Sequence, residues 1–377
     1  MNNADLSNRL KQAGERWSVA QAQAWYNQQK WIVGFNYIPS TAVNFVAMWH
    51  PATFDVTTIE RELNWAAEIG YNSTRINLQY NLWQDDRIGF VSRVSRYLEI
   101  SHKLGLSTVI CLFDDCGFSG IEPNIDIQPA PKPGIHNSRA LASPGRDAVM
   151  DTGNWPAFKV YVQDIITKFK VDERVLFWDL YNEPGNGAIF SENPHEPPYD
   201  AALQHNSLEL CVQCFKWARA IVPTQPITSG AWKLSEASAG SGKQLQAYQN
   251  PIDEFLLATS DIVTFHAYCD LQFFTEIVEQ IDMDGRPILC TEWMARAASS
   301  YLTEQLPVMK HKNIGAFQWG FVRGRSQTHL PWPAEKAKIN NFDENDFEWF
   351  HDVIYDDGTA YRDDEILMVK KLTSPNT

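Results

Sequence analysis

Two glutamates lie just after short apolar runs of the sequence, and their chemistry suits the cleavage of a glycosidic bond. Glu183 comes after the run 175–181, and Glu292 comes after the run 287–291. Glycosidic cleavage needs one protonated carboxyl group to assist the leaving oxygen. It also needs one ionised carboxylate to attack or stabilise the oxocarbenium-like centre. The pair is predicted to supply both, provided that the fold brings the two side chains face to face.

Other polar and aromatic residues follow the apolar runs in the same way, which is unusual for the ends of purely structural strands. These residues are Asn36, Arg75, Asn77, Asp114, Asp115, Asn182, Ser229, His266, Tyr268 and Trp319. In a barrel of parallel strands the active site lies at the carboxyl ends of the strands. The mixture therefore predicts one shared site, if the runs are parallel strands.

The apolar runs alternate with longer helical patterns. They cover residues 31–36, 73–77, 107–113, 175–181, 226–229, 261–266, 287–291 and 315–319. They are nearly continuously apolar, which is typical of parallel strands that are covered on both faces. Strand–helix alternation indicates an α/β protein. Eight units favour a (β/α)8 TIM barrel over an open doubly wound sheet, because no GxGxxG motif follows the first run.

Three segments lie outside this alternation. Residues 1–30 are expected to form a leading helix that caps the barrel floor, and residues 344–371 a polar-faced helix that closes the ring. Residues 114–155 are too long for an ordinary connection and include the Pro-rich stretch 128–134. This long loop is expected to shape the active-site mouth, and residues 1–377 to form a single catalytic domain.

Composition narrows the classes of partner. Lys and Arg number 32 against 46 Asp and Glu, so the net charge is −14. An acidic protein gains no electrostatic attraction to nucleic acid or to an anionic membrane. No segment reaches the roughly 18 apolar residues of a membrane helix, and the N-terminus lacks an apolar signal core. A cytoplasmic location is expected for the sequence as written, or a secreted or periplasmic one if a signal peptide has been removed.

Six cysteines are too few for a disulfide framework, so reduced buried thiols are expected. Cys211 and Cys214 form one CxxC pair within an apolar helical pattern, and no second pair follows at the spacing of a zinc site. Core packing is the favoured interpretation of this pair. We therefore predict no metal and no organic cofactor.

The segment Leu180-Tyr181-Asn182-Glu183-Pro184 resembles the Asn-Glu-Pro signature of the large superfamily of retaining β-glycosidases, which includes the family 5 cellulases and mannanases. The resemblance covers roughly residues 31–355. It implies that Glu183 is the acid/base and that Asn182 hydrogen-bonds the sugar 2-hydroxyl. It also implies that Glu292, in Ile288-Leu289-Cys290-Thr291-Glu292-Trp293, is the nucleophile.

The same resemblance implies roles for four further residues. Arg75 would support the nucleophile, Tyr268 would donate a hydrogen bond to it, and His266 would lie near the sugar. Trp319 would form the floor beneath the reacting sugar. One departure is that family 5 enzymes commonly carry a histidine near the end of strand three, where this chain has Phe113-Asp114-Asp115-Cys116. A carboxylate there is expected to accept hydrogen bonds from sugar hydroxyls, so specificity does not transfer directly from the family.

Weaker candidates complete the set. For four of them, a substrate contact and a structural role are equally well supported. These four are Asn36, Asp114, Asp115 and Trp232. Residues of the long loop that could reach a ligand are His136 and Trp155. Arg323, Arg325 and Gln327 follow the last run. They are expected either to lie in a solvated loop or to contact an acidic or heavily hydroxylated substituent.

The sequence thus predicts a retaining β-glycoside hydrolase that acts on β-linked oligosaccharides or terminal β-glycosides by double displacement. Transglycosylation with the same residues is an alternative. A catalytically inactive carbohydrate-binding barrel is a second alternative, which is disfavoured because both carboxylates are present. A metal-dependent barrel hydrolase is a third, and it would require a histidine pair where the first run ends in Asn36.

Overall fold

The computed structural model describes residues 1–190, 200–234, 247–282, 284–339, 342–343 and 346–374. Eight parallel strands pair in the order β5-β4-β3-β2-β1-β8-β7-β6. They are β1 Val33–Asn36, β2 Ser73–Asn77, β3 Ser107–Asp114, β4 Val175–Asn182, β5 Ile227–Thr228, β6 Val263–Ala267, β7 Ile288–Trp293 and β8 Gly315–Trp319. A parallel bridge between Ala231, just after β5, and Phe265 of β6 joins the two ends of this order. The predicted (β/α)8 barrel is confirmed.

Helices form most of the connections between the strands and also precede the first strand and follow the last one. They are α1 Asn3–Ala13, α2 Val19–Tyr26, α3 Phe45–Trp49, α4 Val56–Ile69, α5 Tyr80–Asp85, α6 Arg87–Lys103, α7 Arg146–Met150, α8 Trp155–Phe169, α9 Asp200–Arg219, α10 Pro251–Thr259, α11 Leu271–Ile281, α12 Leu302–His311, α13 Pro333–Lys336 and α14 Asp363–Thr373. Within the described residues, no helix is both long and apolar enough to cross a membrane.

Helix α4 illustrates why these segments fold locally as they do. Asp55 caps its N-terminus by accepting a hydrogen bond from the backbone N–H of Thr58. Gly70 ends the helix with a φ of 112°, which a residue with a Cβ rarely adopts. Between these caps, Ile59 and Leu63 recur at helical spacing and are fully buried. Each helix of this kind covers the outer face of the sheet with its apolar side.

The N-terminal segment forms two helices rather than the single leading helix that the sequence predicts. Helix α1 packs against α9 and α10 on the outside of the barrel. Helix α2 contributes Ala22 and Tyr26 to an apolar cluster with residues from the barrel strands and their N-terminal flanks. In that cluster, Phe177 of β4 and Phe317 of β8 form an edge-to-face contact, with ring centroids 6.0 Å apart. Since β4 and β8 are on opposite sides of the barrel, this cluster closes its floor.

The prediction of one helix over residues 344–371 is wrong for most of the described part of that range. Helix α14 begins only at Asp363, and residues 346–362 are irregular. The physical reason is a buried arginine outside the segment. Arg296 donates to the backbone carbonyls of Trp349 and His351 at 2.9 and 2.6 Å, which removes these acceptors from any helix ladder.

The long loop 114–155 is irregular from Asp115 to Gly145 and then enters α7. Asp114 and Ser143 pair in an antiparallel bridge that closes the base of the loop. Its tip contacts the segment that follows β8, because the backbone N–H of Asn137 donates to the Ser326 carbonyl at 2.9 Å. The loop therefore lies across the carboxyl ends of the strands, joined to the β8 side of the mouth.

Candidate active site

The two predicted catalytic glutamates are at the carboxyl ends of β4 and β7. Glu183 directly follows Asn182, the last residue of β4, and adopts a φ of 42° in the left-handed region. Non-glycine residues are uncommon there, and such strain clusters at functional sites. Glu292 is in β7 itself and is paired in register with His266 of β6. Both side chains are buried.

His266 lies between the two carboxylates. Its Nδ1 is 2.9 Å from Glu183 Oε1 and 3.6 Å from Glu292 Oε2. One carboxylate oxygen of each glutamate and one ring nitrogen of His266 all lie within 4.8 Å of one another. Carboxyl groups about 5–5.5 Å apart are typical of retaining glycosidases, whereas inverting enzymes leave about 6.5–9.5 Å for a water molecule. The close approach of one oxygen from each carboxylate therefore favours the retaining geometry over the inverting one.

Glu292 is held by side chains of the barrel strands and their ends. Arg75 of β2 donates from Nη1 to Glu292 Oε1 at 2.9 Å, and the Tyr268 hydroxyl donates to Oε2 at 2.8 Å. The other donors of Arg75 bind Asp179 of β4 at 3.0 and 2.8 Å. Arg75 also donates to Asn36 and Asn182, each at 2.7 Å. Its guanidinium is therefore fixed from several sides, with no freedom to leave Glu292.

Glu183 is held by neutral donors from two loops. Asn186 donates from Nδ2 to Glu183 Oε2 at 2.7 Å, and the Cys116 thiol contacts the same oxygen at 3.1 Å. Neither Cys116 nor Asn186 is among the sequence candidates. Asn186 follows the Asn-Glu-Pro segment closely, and the backbone N–H of Asn186 donates to the Glu183 carbonyl at 3.0 Å. This short-range turn is the one signal that could have identified it.

Burial shifts the titration of all three central groups. Burial, and then the charge of Glu183, raise the pKa of Glu292 to about 7, against the opposing effects of His266, Arg75 and Tyr268. Burial also raises the pKa of Glu183, and it lowers the pKa of His266 to about 4. The sequence led us to expect that Arg75 and Tyr268 keep Glu292 readily ionised, whereas burial outweighs them in the free protein. Because the carboxyl groups are adjacent, the charge of Glu183 disfavours the ionisation of Glu292, and the titrations of the two groups are coupled.

Asp114 and Asp115 are sequence neighbours with different surroundings. Asp114 accepts hydrogen bonds at 2.9 Å from Asn182, from Asn77 and from the backbone N–H of Cys116. It therefore orients Asn182 beside the catalytic pair rather than presenting a free carboxylate.

Asp115 is fully buried behind the site. Its carboxylate accepts from the Tyr181 hydroxyl, the Ser207 hydroxyl and the backbone N–H of Gly185, at 2.8, 2.6 and 2.7 Å. Burial raises its pKa to about 6. The expectation that Asp115 meets sugar hydroxyls is therefore wrong, because its oxygens are already bound to protein donors beneath the turn that carries Glu183.

A cavity of about 560 Å³ opens above the two glutamates. Predicted residues in its wall are Asn182, Tyr268, Trp319, Trp232 and His136. Arg75, His266, Asn36 and Asp114 are not in the wall, and they act from below or beside it through hydrogen bonds. Aromatic lining residues that the sequence analysis missed are Phe118, Phe190, Trp332 and His351. The last two are in irregular segments after β8, where periodicity gives no signal.

Ring contacts connect the loops around the mouth. Tyr268 meets Trp332 at 5.0 Å, and Trp332 meets His351 at 5.9 Å between ring centroids. His351 meets His136 of the long loop at 5.3 Å, and His136 meets Phe190 at 5.8 Å. An aromatic rim thus runs from the β6 side through the β8 segment and the long loop to the segment after β4.

Four weaker candidates are outside the cavity wall. The indole of Trp155 donates to the Val149 carbonyl at 3.1 Å at the start of α8. Arg323, Arg325 and Gln327 line a separate surface groove between the β8 segment and the Pro-rich stretch. Gln327 donates to the carbonyls of Lys132 and Ile135 at 2.7 and 2.8 Å, so it braces the long loop.

Two groups of residues, the paired cysteines and the central trio, have side chains that could bind a metal. Cys211 and Cys214 are buried and unbridged, as the core interpretation predicts. Glu183, His266 and Glu292 have the mutual spacing of a metal site. The guanidinium of Arg75, at 2.9 Å from Glu292, adds a fixed positive charge that opposes a cation there. Hydrogen bonds to protein groups engage both glutamates and His266 Nδ1, whereas the buried His266 Nε2 has no hydrogen-bond partner within the described residues.

A family model described as Cellulase (glycosyl hydrolase family 5) matches residues 49–322, which is more than half of the chain. The chain belongs to glycosyl hydrolase family 5. It is therefore a retaining glycoside hydrolase, and the resemblance that rests on Asn182 and Glu183 is confirmed at the level of the family. No curated protein matches the chain.

Solved structures of family 5 enzymes share the fold at low sequence identity. GH5_18 from Streptomyces cattleya in complex with GlcNAc is 15% identical, with a TM-score of 0.56 over 92% of this chain and 81% of that one. The exo-β-1,4-mannosidase from Opitutaceae bacterium strain TAV5 is 18% identical, with a TM-score of 0.56 over 91% of this chain and 59% of that one. The endo-β-1,4-mannanase from Thermotoga petrophila is 13% identical, with a TM-score of 0.53 over 92% and 77%.

Proposed function

We propose that this family 5 enzyme removes a terminal sugar from β-linked oligosaccharides or β-glycosides by double displacement, with Glu292 as nucleophile and Glu183 as acid/base. The observation that carries the proposal is the asymmetry of the closely spaced carboxyl pair. Glu292 has a cationic donor in Arg75 at 2.9 Å, whereas the hydrogen-bond donors to Glu183 are neutral. We therefore assign the acidic proton of the reaction to Glu183 and the negative charge to Glu292.

The chemistry follows from that assignment. Glu183 gives its proton to the glycosidic oxygen while Glu292 attacks the anomeric carbon, so the bond to the leaving group breaks and a glycosyl–enzyme ester forms. Glu183, now a carboxylate, takes a proton from water as the water oxygen attacks the same carbon. The ester bond breaks, Glu292 is restored as a carboxylate, and the configuration is retained.

We infer cleavage at a chain end because one side of the active-site mouth is closed. On the β1, β3 and β8 side of the mouth, Trp319 and Cys116 also line a separate space of only about 20 Å³. That space holds no more than about one water molecule, so a sugar chain cannot continue past Trp319 in that direction. Asn137 of the long loop and Thr328 of the β8 segment are among the residues that line it. The cavity above the glutamates, in contrast, has the volume of a small-ligand pocket.

The catalytic assignment is tested by replacing Glu292 with Gln and Glu183 with Ala. We expect Glu292→Gln to reduce turnover of an aryl β-glycoside by roughly four orders of magnitude, because no nucleophile remains. Glu183→Ala is expected to impair glycosyl–enzyme formation least for substrates with good leaving groups, which need little acid assistance. Near-normal turnover by Glu292→Gln, or a loss in Glu183→Ala that is equal across leaving groups, would contradict the assignment.

Substrate and direction are tested together with a panel of oligosaccharides of defined length. β-Mannosides enter the panel first, because a variant of GH5_18 from Streptomyces cattleya, at a TM-score of 0.56, is in complex with Manβ1-4GlcNAc. We expect release of single sugars from the non-reducing end, with retained anomeric configuration in the first product. Internal cleavage of long chains would refute terminal action, and inversion would refute the double displacement.

A further inference from the structure

Cys116 is the residue of the cavity wall whose chemistry the catalytic scheme does not yet use. It follows β3 by two residues, and its side chain is 7% exposed. All six cysteines are within the described residues, and Cys116 is the one that lines the cavity. Its sulfur is 3.1 Å from Glu183 Oε2, which also accepts from Asn186 at 2.7 Å. The thiol thus contacts the carboxyl group assigned as acid/base.

The contacts around the sulfur show which neighbouring group accepts its S–H hydrogen bond. The side-chain amides of Asn182 and Asn186 donate to Cys116 Sγ at 3.5 and 3.7 Å. Both amides are donors only at their nitrogen atoms, so they occupy the lone pairs of the sulfur. The nearby acceptor is Glu183, and the S–H therefore donates to it. The backbone N–H of Cys116 is also bound, to Asp114 Oδ1 at 2.9 Å, which fixes the position of the residue.

We propose that Cys116 is a positioning residue for the acid/base, a neutral donor that holds Glu183 Oε2 and favours the ionised carboxylate in both half-reactions. This inference rests on the proposed role of Glu183. Burial raises the pKa of the Cys116 thiol well above its usual range, so the thiol keeps its proton and is a donor rather than a nucleophile. A donor to the ionised form lowers the pKa of Glu183, opposing the effect of burial.

The other groups that face Glu183 are distinct from this donor and stay in place when it is removed. The titratable and charged groups around Glu183 are His266, Glu292, Asp114, Arg75, Tyr268 and Asp253. The hydrogen bonds of the Cys116 sulfur are to Glu183 and to the amides of Asn182 and Asn186, and not to any of these groups. Replacing the thiol therefore changes one donor to Glu183 and leaves the charges around it unchanged.

The test compares the pH dependence of kcat/KM in Cys116→Ala, Cys116→Ser and the wild type, on an aryl β-glycoside with a poor leaving group. Activity is lost as pH rises through the pKa of Glu183, since the acid must be protonated. Removing the donor raises that pKa, so the basic limb of Cys116→Ala should move to higher pH by about half a unit or more. Cys116→Ser keeps a donor and should return the limb to the wild-type position or below it.

Two controls make the result decisive. Cys214→Ala removes a buried thiol on α9, outside the cavity, and should move neither limb. If Cys116→Ala folds poorly, Cys116→Val fills the volume without a donor and should show the same shift. A basic limb that coincides with the wild type in the Ala and Val variants overturns the inference, and so does an equal shift in the Ser variant. The proposed function fails separately, if Glu183→Ala keeps full turnover of the same substrate.

Discussion

The two carboxyl groups of the site are supported by different parts of the barrel. Glu292 is bound by Arg75 within β2 and by Tyr268 just beyond β6, so its partners belong to the rigid strands and their ends. Glu183 is bound by Cys116 and Asn186 from loops, and by His266. A nucleophile that must be ionised gains from a fixed cation. An acid/base that must exist in both forms is better served by neutral donors, which stabilise one form without excluding the other.

Arg75→Lys is the variant that tests most strongly whether Glu292 depends on a fixed cation. A single ammonium cannot reproduce the fork of donors that joins Glu292, Asp179 and Asn182. We expect kcat/KM to fall by roughly two orders of magnitude, because the nucleophile loses its fixed partner. Steady-state kinetics on an aryl β-glycoside measures the loss, and thermal unfolding shows how much of it is due to stability.

Arg219→Lys is the matched control for that variant. Arg219 is also largely buried and pairs with Asp261, which precedes β6 at the opposite end of the barrel. We expect lower thermal stability with kcat/KM within about threefold of the wild type. An equal kinetic loss in both lysine variants would mean that Arg75 acts through general stability alone.

Tyr268→Phe should have a smaller effect of the same kind. The phenol donates to ionised Glu292, so its removal raises the pKa of Glu292 above its value of about 7. Activity requires the ionised form, and the acidic limb of the kcat/KM profile should therefore move to higher pH. We expect a loss of roughly tenfold at the optimum. An acidic limb that does not move would show that Tyr268 contributes shape rather than charge stabilisation.

Glu183→Gln should shift the acidic limb in the opposite direction. The charge of Glu183 raises the pKa of Glu292, and a neutral amide removes that repulsion. Glycosyl–enzyme formation from a substrate with a good leaving group should then persist to lower pH than in the wild type, by about one unit. The rate of the first turnover measures this limb without the acid step. A shift to higher pH would contradict the electrostatic coupling of the two carboxyl groups.

The strand positions were predictable because parallel strands buried on both faces leave continuous apolar runs. The order of Arg75, Glu183, His266 and Glu292 along those runs then predicted one shared site. The different surroundings of Asp114 and Asp115 were less predictable from the sequence. Neighbouring residues at a strand end face opposite sides, so one reaches Asn182 and the other reaches Ser207 of α9. Which one contacts Asn182 beside the catalytic pair depends on strand register, which a single sequence does not encode locally.

The aromatic rim was not predictable for a related reason. Trp332 and His351 are in irregular segments after β8, and their positions depend on distant partners such as Arg296 and the long loop. A segment without helical or alternating periodicity gives no local signal of the face that it presents. The erroneous prediction of a helix over residues 344–371 has the same origin.

The closed floor beneath the site imposes an order on events during turnover. Tyr26, Phe177 and Phe317 close the barrel from below, and the aromatic rim borders the mouth from the β6 side to the segment after β4. Within the described residues, substrate entry and product release therefore use the same opening. In the proposed mechanism, the departing aglycone must leave through that opening before water can reach the ester on Glu292, so a slow-leaving aglycone delays hydrolysis. A hydroxyl-bearing molecule that occupies the entrance is well placed to attack the ester in place of water. The shared opening thereby links the release of the first product to the choice between hydrolysis and transglycosylation.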